Sequence, residues 1–433
     1  MQQHTIRMNS DQEQFKNCCC CAPYPVLDLT KAFSGNGNGE EFKDLKHDAS
    51  AACARFGCFH VKISPTNIES SFNYDFMKVL DSENAVKKCL ESIFDDKFVD
   101  SQTEGKATVS VPSRTSDGNI TTAKYRGRAA ESGSATSLEP KQSWEVLRCR
   151  RMEQSPFQPT NKNTEEAQLS SANLSILHDY VRVLHEVAIC LFSKVLDLPE
   201  TFIDDRMCEC NNLQSADCPC TMDLLRAFRY DALTSSEMAE ANLGSSPHTD
   251  WGSLTVVWQD SKGGLQIYCH EHEKWNNVEA VNDSSDGTVS LFIHVGDFTS
   301  LSLSQAVFSS PKQLTWPSPL HRVVCPLRTD ETDATDENDV RFSLVYFCYP
   351  PGLTSLDDSQ KYVHSQKYVR NKMVGGRESN EVGNSSFPYD RYMVLNDQSP
   401  GSGSVSSKEV YHRIKKVPFR EVIEAKWQQV QRR

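Results

Sequence analysis

The sequence predicts a mainly β protein: a double-stranded β-helix, or jelly roll, flanked by an α-helical N-terminal region and a C-terminal helix. Three observations carry this expectation. From Met222 onward, short apolar runs recur at close spacing between Gly, Asp and Asn turns, the pattern of a jelly roll or sandwich. Upstream, the longest apolar pattern repeats at helical intervals. The chain closes on a segment, Lys408 to Gln431, that again reads as helix.

The elements follow in order. Residues 1–22 read as a polar, disordered tail, and 23–200 as a mixed α/β N-terminal region. Within that region PYPVLDLT (Pro23 to Thr30) and GCFHVKI (Gly57 to Ile63) read as strands around a helix from Phe42 to Phe56. A weaker helix is expected from about Phe76 to Phe94. Residues 101–122, rich in Ser, Thr and Gly, read as a linker. From Ser171 to Leu196, Leu177, Val181, Leu184, Ala188, Leu191 and Val195 recur at alternating steps of four and three. That spacing gives one apolar face, expected to pack on a sheet. Leu198-Pro199 ends it.

Residues 221–355 are expected to be the jelly-roll core. Its strands are LTVVW (Leu254 to Trp258), GGLQIY (Gly263 to Tyr268), WNNVEAV (Trp275 to Val281), VSLFIHVGD (Val289 to Asp297), HRVVC (His321 to Cys325) and RFSLVYFCY (Arg341 to Tyr349). Residues 356–433 would then be a polar loop and the terminal helix.

The bulk properties narrow the function. At 433 residues the chain exceeds the length at which single cores stop growing, roughly 250–300 residues, so an enlarged core with flanks is expected. A net charge of -12 argues against a nucleic-acid surface, which needs a basic stripe. No stretch approaches the apolar length of a membrane span, about 20 residues, and the start lacks the apolar region of a signal peptide. Of the 16 Cys, Cys53, Cys58, Cys89, Cys149 and Cys190 sit inside apolar patterns. Reduced, buried thiols in a cytoplasmic, monomeric protein are expected.

Two cysteine groups are candidates for function. Cys18 to Cys21 form an unbroken run with no supporting pattern for palmitoylation or metal. Cys208, Cys210, Cys218 and Cys220 could close a zinc site. Their pairs are separated by a single residue, where zinc pairs usually have two to four. A polar loop with incidental thiols is the favoured reading.

The chemistry concentrates in three segments: PHTDWGSLTVV, SPLHRVV and VRFSLVYFCYP. His248 and Asp250 are two apart, so in an extended strand both side chains leave one face. His321 opens another strand. Two imidazoles and a carboxylate can occupy one face of an octahedral ferrous ion and leave three positions open. Arg341 and Ser343 also share a strand face, beside apolar residues. A buried guanidinium needs an anionic partner, and no acid in that strand supplies one. A ligand carboxylate held by the Arg341 fork, with Ser343 as a second donor, answers the need. The competing reading places Arg341 at a strand mouth, facing the acidic run Asp330 to Asp339. His270 and His272 read as a solvated hairpin tip, and His294 as a packed core histidine.

HTDWGSLTVVWQD, GGLQIY, the Gly296-Asp297 turn, LHRVV and RFSLVYF together resemble the iron(II)/2-oxoglutarate-dependent dioxygenases of the isopenicillin N synthase-like type. PVLDLT and ARFGCFHVKI resemble that family's N-terminal region, so the likeness runs from about Pro25 to about Pro351, with gaps. It implies that His248, Asp250 and His321 ligate Fe(II), and that Arg341 and Ser343 bind the distal carboxylate of 2-oxoglutarate. It implies O2 as oxidant, a small-molecule substrate, and ascorbate as a candidate reductant. Tyr230 stands where the family often has a tyrosine before a proline, and is expected to touch 2-oxoglutarate. Here Asp231 replaces that proline. The intervals His321 to Arg341 and Gly296 to His321 are longer than usual, by Thr329 to Asp339 and by Ser300 to Pro317. The segment Tyr125 to Glu145 resembles a stretch that can border the substrate.

The expected function is thus hydroxylation or desaturation of a small organic molecule with release of succinate and CO2. Two alternatives stand beside it. One is a non-haem iron oxidase of the same fold that works without 2-oxoglutarate. The other is a non-catalytic jelly-roll binding protein that keeps its metal for structure.

Overall fold

Twelve strands pair into two sheets among the described residues of the computed structural model. Those residues are 23–33, 40–63, 83–94, 122–128, 140–148, 184–196, 223–233, 243–280, 289–304, 316–328, 340–359, 415–423 and 425. The expectations for the tail 1–22, for both cysteine groups, for most of the 101–122 linker, for residues 171–183 of the long helix and for the acidic run before Arg341 lie outside them.

The strands are β1 (Val26–Asp28), β2 (Cys58–Ile63), β3 (Thr122–Arg128), β4 (Pro140–Arg148), β5 (Asp223–Tyr230), β6 (Leu243–His248), β7 (Leu254–Gln259), β8 (Leu265–Cys269), β9 (Lys274–Asn277), β10 (Val289–Val295), β11 (His321–Val324) and β12 (Arg341–Cys348). The larger sheet runs β1-β2-β10-β7-β12-β5-β4-β3, and the smaller β6-β11-β8-β9. Every pairing is antiparallel except β1 with β2 and an isolated bridge from Leu233 to Leu327. This is the mainly β architecture with flanking helices that the sequence predicts.

The two faces of the larger sheet bury different chemistry, and the period of two explains it. Outward-facing Leu254, Val256 and Trp258 of β7, Leu291, Ile293 and Val295 of β10, and Phe342, Leu344 and Tyr346 of β12 join one large apolar core. Helices cover that face. They are α1 (Thr30–Phe33), α2 (Glu40–Phe56), α3 (Glu83–Phe94) and the helical residues 184–196, whose last turn is π-helical from Cys190 to Val195. Leu184, Ala188, Leu191 and Val195 of the predicted stripe are all in this core, so the helix packs on the sheet as expected. A sheet covered on both sides needs strands buried on both sides, and β7 is buried at every position. The inner face turns toward the smaller sheet around Tyr230, Val257, Phe292, Leu265, Ile267 and Val323. Between these apolar residues it carries Thr255, Gln259, His294, Arg341 and Ser343, all buried.

Gly57 ends α2. Its amide donates to Cys53 O at 3.0 Å, and its φ of +67° suits glycine at the first position past a helix. β2 starts at the next residue.

Three expectations need correction. Thr122–Arg128 and Pro140–Arg148 are strands β3 and β4, where the sequence suggests a linker end and no element. Asp297–Ser304 is a helix, α4, rather than only a turn and an expanded loop. The C-terminal helix does not run unbroken from Lys408. Residues 415–417 are turn and bend, and helix begins after Pro418, at residue 419, because the residue before a proline is driven out of the helical region.

Candidate metal centre

The smaller sheet positions the two histidines. His248 ends β6, His321 begins β11, and the two are register partners, so both side chains leave the same face. Their rings lie 4.2 Å apart between centroids. Each ring is oriented through its far nitrogen. His248 Nδ1 lies 2.7 Å from Ser246 O and His321 Nδ1 lies 3.1 Å from Pro319 O. A carbonyl can only accept, so both Nδ1 atoms carry the proton and both Nε2 lone pairs face the centre.

Asp250 lies two residues past β6, in the loop that crosses to β7. Its Oδ1 stands 3.8 Å from His248 Nε2 and 3.7 Å from His321 Nε2. Ligand atoms of the three residues all lie within 4.8 Å of one another. The contact with His248 is not an ion pair. Burial, with His321 next to it, pushes the His248 pKa down to about 4, so the imidazole is neutral near pH 7. Two imidazoles and one carboxylate oxygen, converging on one point, are the donor set that ferrous iron takes on one face. The chemistry of the set fits the ion.

The second carboxylate oxygen is held from behind. Asp250 Oδ2 accepts from Thr255 Oγ1 at 2.5 Å, and His294 Nδ1 lies 3.5 Å away. The loop itself is clasped by the start of α4. The Asp297 amide donates to Asp250 O at 2.7 Å, the Phe298 amide to Gly252 O at 3.1 Å, and Thr249 Oγ1 to Asp297 Oδ2 at 3.1 Å. The approach is close because Gly296 has no side chain: a Cβ there would sit 2.1 Å from Gly252 O.

Arg341 opens β12 on the inner face and is 1% exposed. Its Nε donates to Gly263 O, one NH2 group to Gln259 Oε1 at 3.3 Å, and the other to Ser343 Oγ at 3.4 Å. The guanidinium lies over the Tyr230 ring, 4.7 Å from its centroid. All of these partners are neutral. Asp260 directs its carboxylate elsewhere, to the amides of Phe342 at 2.6 Å and Lys262 at 3.1 Å. Among the described residues no carboxylate pairs with Arg341. Burial raises the pKa of the Tyr230 phenol, while Arg341 and Lys141 pull the other way.

The structure brings the six expected residues together in two groups: His248, Asp250 and His321 as a trio on the smaller sheet and the loop after β6, and Arg341, Ser343 and Tyr230 as a cradle on the inner face of the larger sheet, which turns toward the smaller one. Sequence reasoning missed four supporting groups. Thr255 and Gln259 are alternate residues of β7, a signal available in LTVVWQ. His294 reads as core in the sequence, and it is core, but a polar ring in an apolar strand calls for a partner and Asp250 is beside it. Lys141 had no signal, because nothing in its segment marks a strand. His270 and His272 sit in the turn between β8 and β9, away from the trio.

Residues 223–350 match the family model of the 2OG-Fe(II) oxygenase superfamily. The chain is 30% identical over 169 residues to the 2-oxoglutarate-dependent dioxygenase frbA of Dothideomycetidae sp. (strain 11243), covering 39% of this chain and 43% of that protein. It is 24% identical over 168 residues to the proline hydroxylase buaE of Petromyces alliaceus, covering 39% and 44%. The matches thus span less than half the length of these relatives. The solved structure of a full-length Neurospora crassa protein in complex with alpha-KG is similar over 90% of this chain and 95% of its own, at 16% identity and a TM-score of 0.49. The stretch similar to the 2OG-Fe(II) oxygenase superfamily, residues 223–350, contains all three converging ligands.

Proposed function

We propose that the protein is an Fe(II)- and 2-oxoglutarate-dependent oxygenase that hydroxylates or desaturates a small organic molecule, releasing succinate and CO2. The observation that carries this reading is the Arg341 guanidinium. It is buried, bonded only to neutral acceptors among the described residues, and set on the inner face of the larger sheet, which turns toward the smaller sheet that carries His248 and His321. A buried cation of this kind is satisfied by a ligand carboxylate.

His248, Asp250 and His321 would hold the iron, and Arg341 and Ser343 the distal carboxylate of 2-oxoglutarate. When bound, iron and 2-oxoglutarate together supply the oxidising power that lets dioxygen attack an unreactive C–H bond. The rest is done by the protein. Gln259 and Gly263 O fix the Arg341 fork in one orientation, so the co-substrate is held by two parallel contacts rather than by charge alone. The Tyr230 ring closes one side of that fork and keeps water from it. Thr255 ties down Asp250 Oδ2, so Oδ1 stays with the histidines. The carbonyls of Ser246 and Pro319 fix both imidazoles with Nε2 inward. The apolar residues of the inner face exclude water from the reacting centre.

The decisive experiment incubates the full chain with Fe(II), ascorbate and 2-oxoglutarate and measures succinate. Slow, metal-dependent succinate formation without added substrate is expected. Arg341→Met should weaken 2-oxoglutarate binding by at least about tenfold, the worth of a charge-assisted pair. Undiminished binding in that variant, or oxygen uptake without succinate, would overturn the reading, the latter in favour of an oxidase that does not use 2-oxoglutarate.

A further inference from the structure

Lys141 places a second positive charge on the inner face. It is 6% exposed and lies in β4, directly opposite Tyr230 of β5, which is in turn opposite Arg341 of β12. Register partners in antiparallel strands point to the same side. Lys141, Tyr230 and Arg341 therefore form one row across three strands, with the two cations on either side of the ring. Neighbouring strands are about 4.8 Å apart, so the two backbones are separated by roughly 10 Å.

The lysine amine reaches across to the smaller sheet. Its Nζ lies 3.4 Å from Ser245 Oγ and 5.5 Å from the centre of the Phe228 ring. A β-bulge gives Ser245 its importance. His321 pairs with His248 and Val323 pairs with Ser245, so three residues of β6 span the length of two in β11. The bulge brings Ser245 and His248 to the same face, two strand positions apart, or roughly 7 Å. Lysine is rarely buried this fully, and here it stands inside the jelly roll, a short step from the metal ligands and on the far side of Tyr230 from Arg341.

We propose that Lys141, with Ser245, is the specificity-determining site for the substrate to be oxidised, and that this substrate carries a carboxylate. The inference rests on the oxygenase reading above and deepens it. One ammonium and one hydroxyl, 3.4 Å apart, match the two oxygens of a carboxylate. A phosphate would call for more donors. Arg341 serves the acid of the co-substrate on one side of Tyr230, and Lys141 serves the acid of the substrate on the other. With the acid anchored there, the carbon presented to the metal lies only a few bonds from the carboxylate.

The test compares acids with their amides. Proline, phenylacetate and decanoate, each beside its primary amide, are titrated calorimetrically into the full chain loaded with Mn(II), with and without 2-oxoglutarate. At least one acid should bind about tenfold or more tightly than its amide, the margin of a charge-assisted contact. Lys141→Gln should reduce that ratio to within about twofold, and Lys141→Arg should keep most of it. A purely structural lysine would not set an acid-to-amide ratio. The affinity for 2-oxoglutarate should be unchanged in Lys141→Gln. No preference for any acid in the wild-type chain overturns the proposal, as does a preference that survives in Lys141→Gln. So does a tenfold loss of 2-oxoglutarate affinity in that variant, which would assign Lys141 to the co-substrate. Failure of the underlying reading looks different: no 2-oxoglutarate binding in any variant, whatever the acids do.

Discussion

His294 Nδ1 lies 3.5 Å from Asp250 Oδ2, the carboxylate oxygen turned away from His248 and His321. The imidazole is 1% exposed, and Nδ1 makes no formal hydrogen bond. Burial and the nearby His321 drive its pKa well below the ordinary value, so it is a neutral ring behind a ligand. This position opposes two effects. A buried polar atom without a full hydrogen bond costs about 1–3 kcal/mol. Groups that orient a ligand typically change metal affinity about 10–100-fold. His294→Leu should therefore leave the metal-free fold at least as stable as the wild type, yet weaken Mn(II) or Fe(II) binding by about tenfold or more. Thermal unfolding without metal and a metal titration read the two effects separately. Unchanged metal affinity would reduce His294 to packing alone.

Gly296 should be the least tolerant position near the metal ligands that does not itself touch a ligand. A Cβ at 2.1 Å from Gly252 O and 2.6 Å from Gly252 C meets backbone, which has no rotamer to move to. The strand end would have to separate from the Asp250 loop, breaking the contacts of Asp297 with Asp250 O and of Phe298 with Gly252 O. Overpacking usually costs about 1–3 kcal/mol, and contact with backbone places this case at the upper end. Gly296→Ala should lower the denaturation midpoint and weaken metal binding together. A variant with normal stability that has lost metal would mean the loop moves independently of α4.

Much of the centre was legible because its chemistry sits at fixed steps in strands. Arg341 and Ser343 are two apart in β12, and the period of a strand puts them on one side; His248 and Asp250 are also two apart, but β6 ends at His248 and the loop carries Asp250 back to the histidines. His321 was legible only through its flanks, since its pairing with His248 is a long-range fact. The fold class followed from Leu254–Gln259, Val289–Val295 and Arg341–Cys348, whose apolar alternation survives burial on both faces. β3 and β4 lacked that signal. TAKYRGR is the edge strand of the larger sheet and PKQSWEVLR the strand next to it; neither shows an apolar alternation, and Lys141 was hidden with them. α4 was not legible because DFTSLSLS has no helical stripe; it follows a backbone clasp that only the folded chain creates. The C-terminal helix starts later than its apolar pattern suggests, because Pro418 sets its first turn and excludes the residues before it.

Gly264 shows how the Arg341 cradle depends on backbone. Its φ is +93°, and a Cβ would lie 2.7 Å from Val324 O and 3.1 Å from Arg341 Nε. Gly263, beside it, gives the carbonyl that Arg341 Nε binds. Gly264→Ala should weaken 2-oxoglutarate binding more than metal binding, because the overlap meets Arg341 directly but reaches β11 only at Val324, the end away from His321, and leaves β6 and the Asp250 loop untouched. The strained φ and the overlap together should cost about 1–3 kcal/mol of stability. Equal loss of metal and 2-oxoglutarate binding would show that the two halves of the site do not respond separately.

His60 predicts how the fold responds to acid. It sits on the inner face of β2 opposite Phe292 of β10, 5% exposed, with its ring 4.9 Å from that phenyl. Burial, and then Lys62, lower its pKa from 6.5 to about 4. The unfolded chain therefore takes up a proton at this position between about pH 6.5 and 4, and the folded chain does not. Stability is complete above the unfolded value and declines as pH falls through that window. At about 1.36 kcal/mol per unit the loss approaches about 3 kcal/mol by pH 4. His60→Phe removes the titrating group and should flatten this part of the profile by about that amount. The measurement is the denaturant midpoint of metal-free protein at half-unit steps between pH 4 and 7. Metal-free protein is required because His248 and His321 bind metal only when neutral, and bound metal would add its own pH dependence. An unchanged slope in His60→Phe would mean that the acid sensitivity comes from other groups.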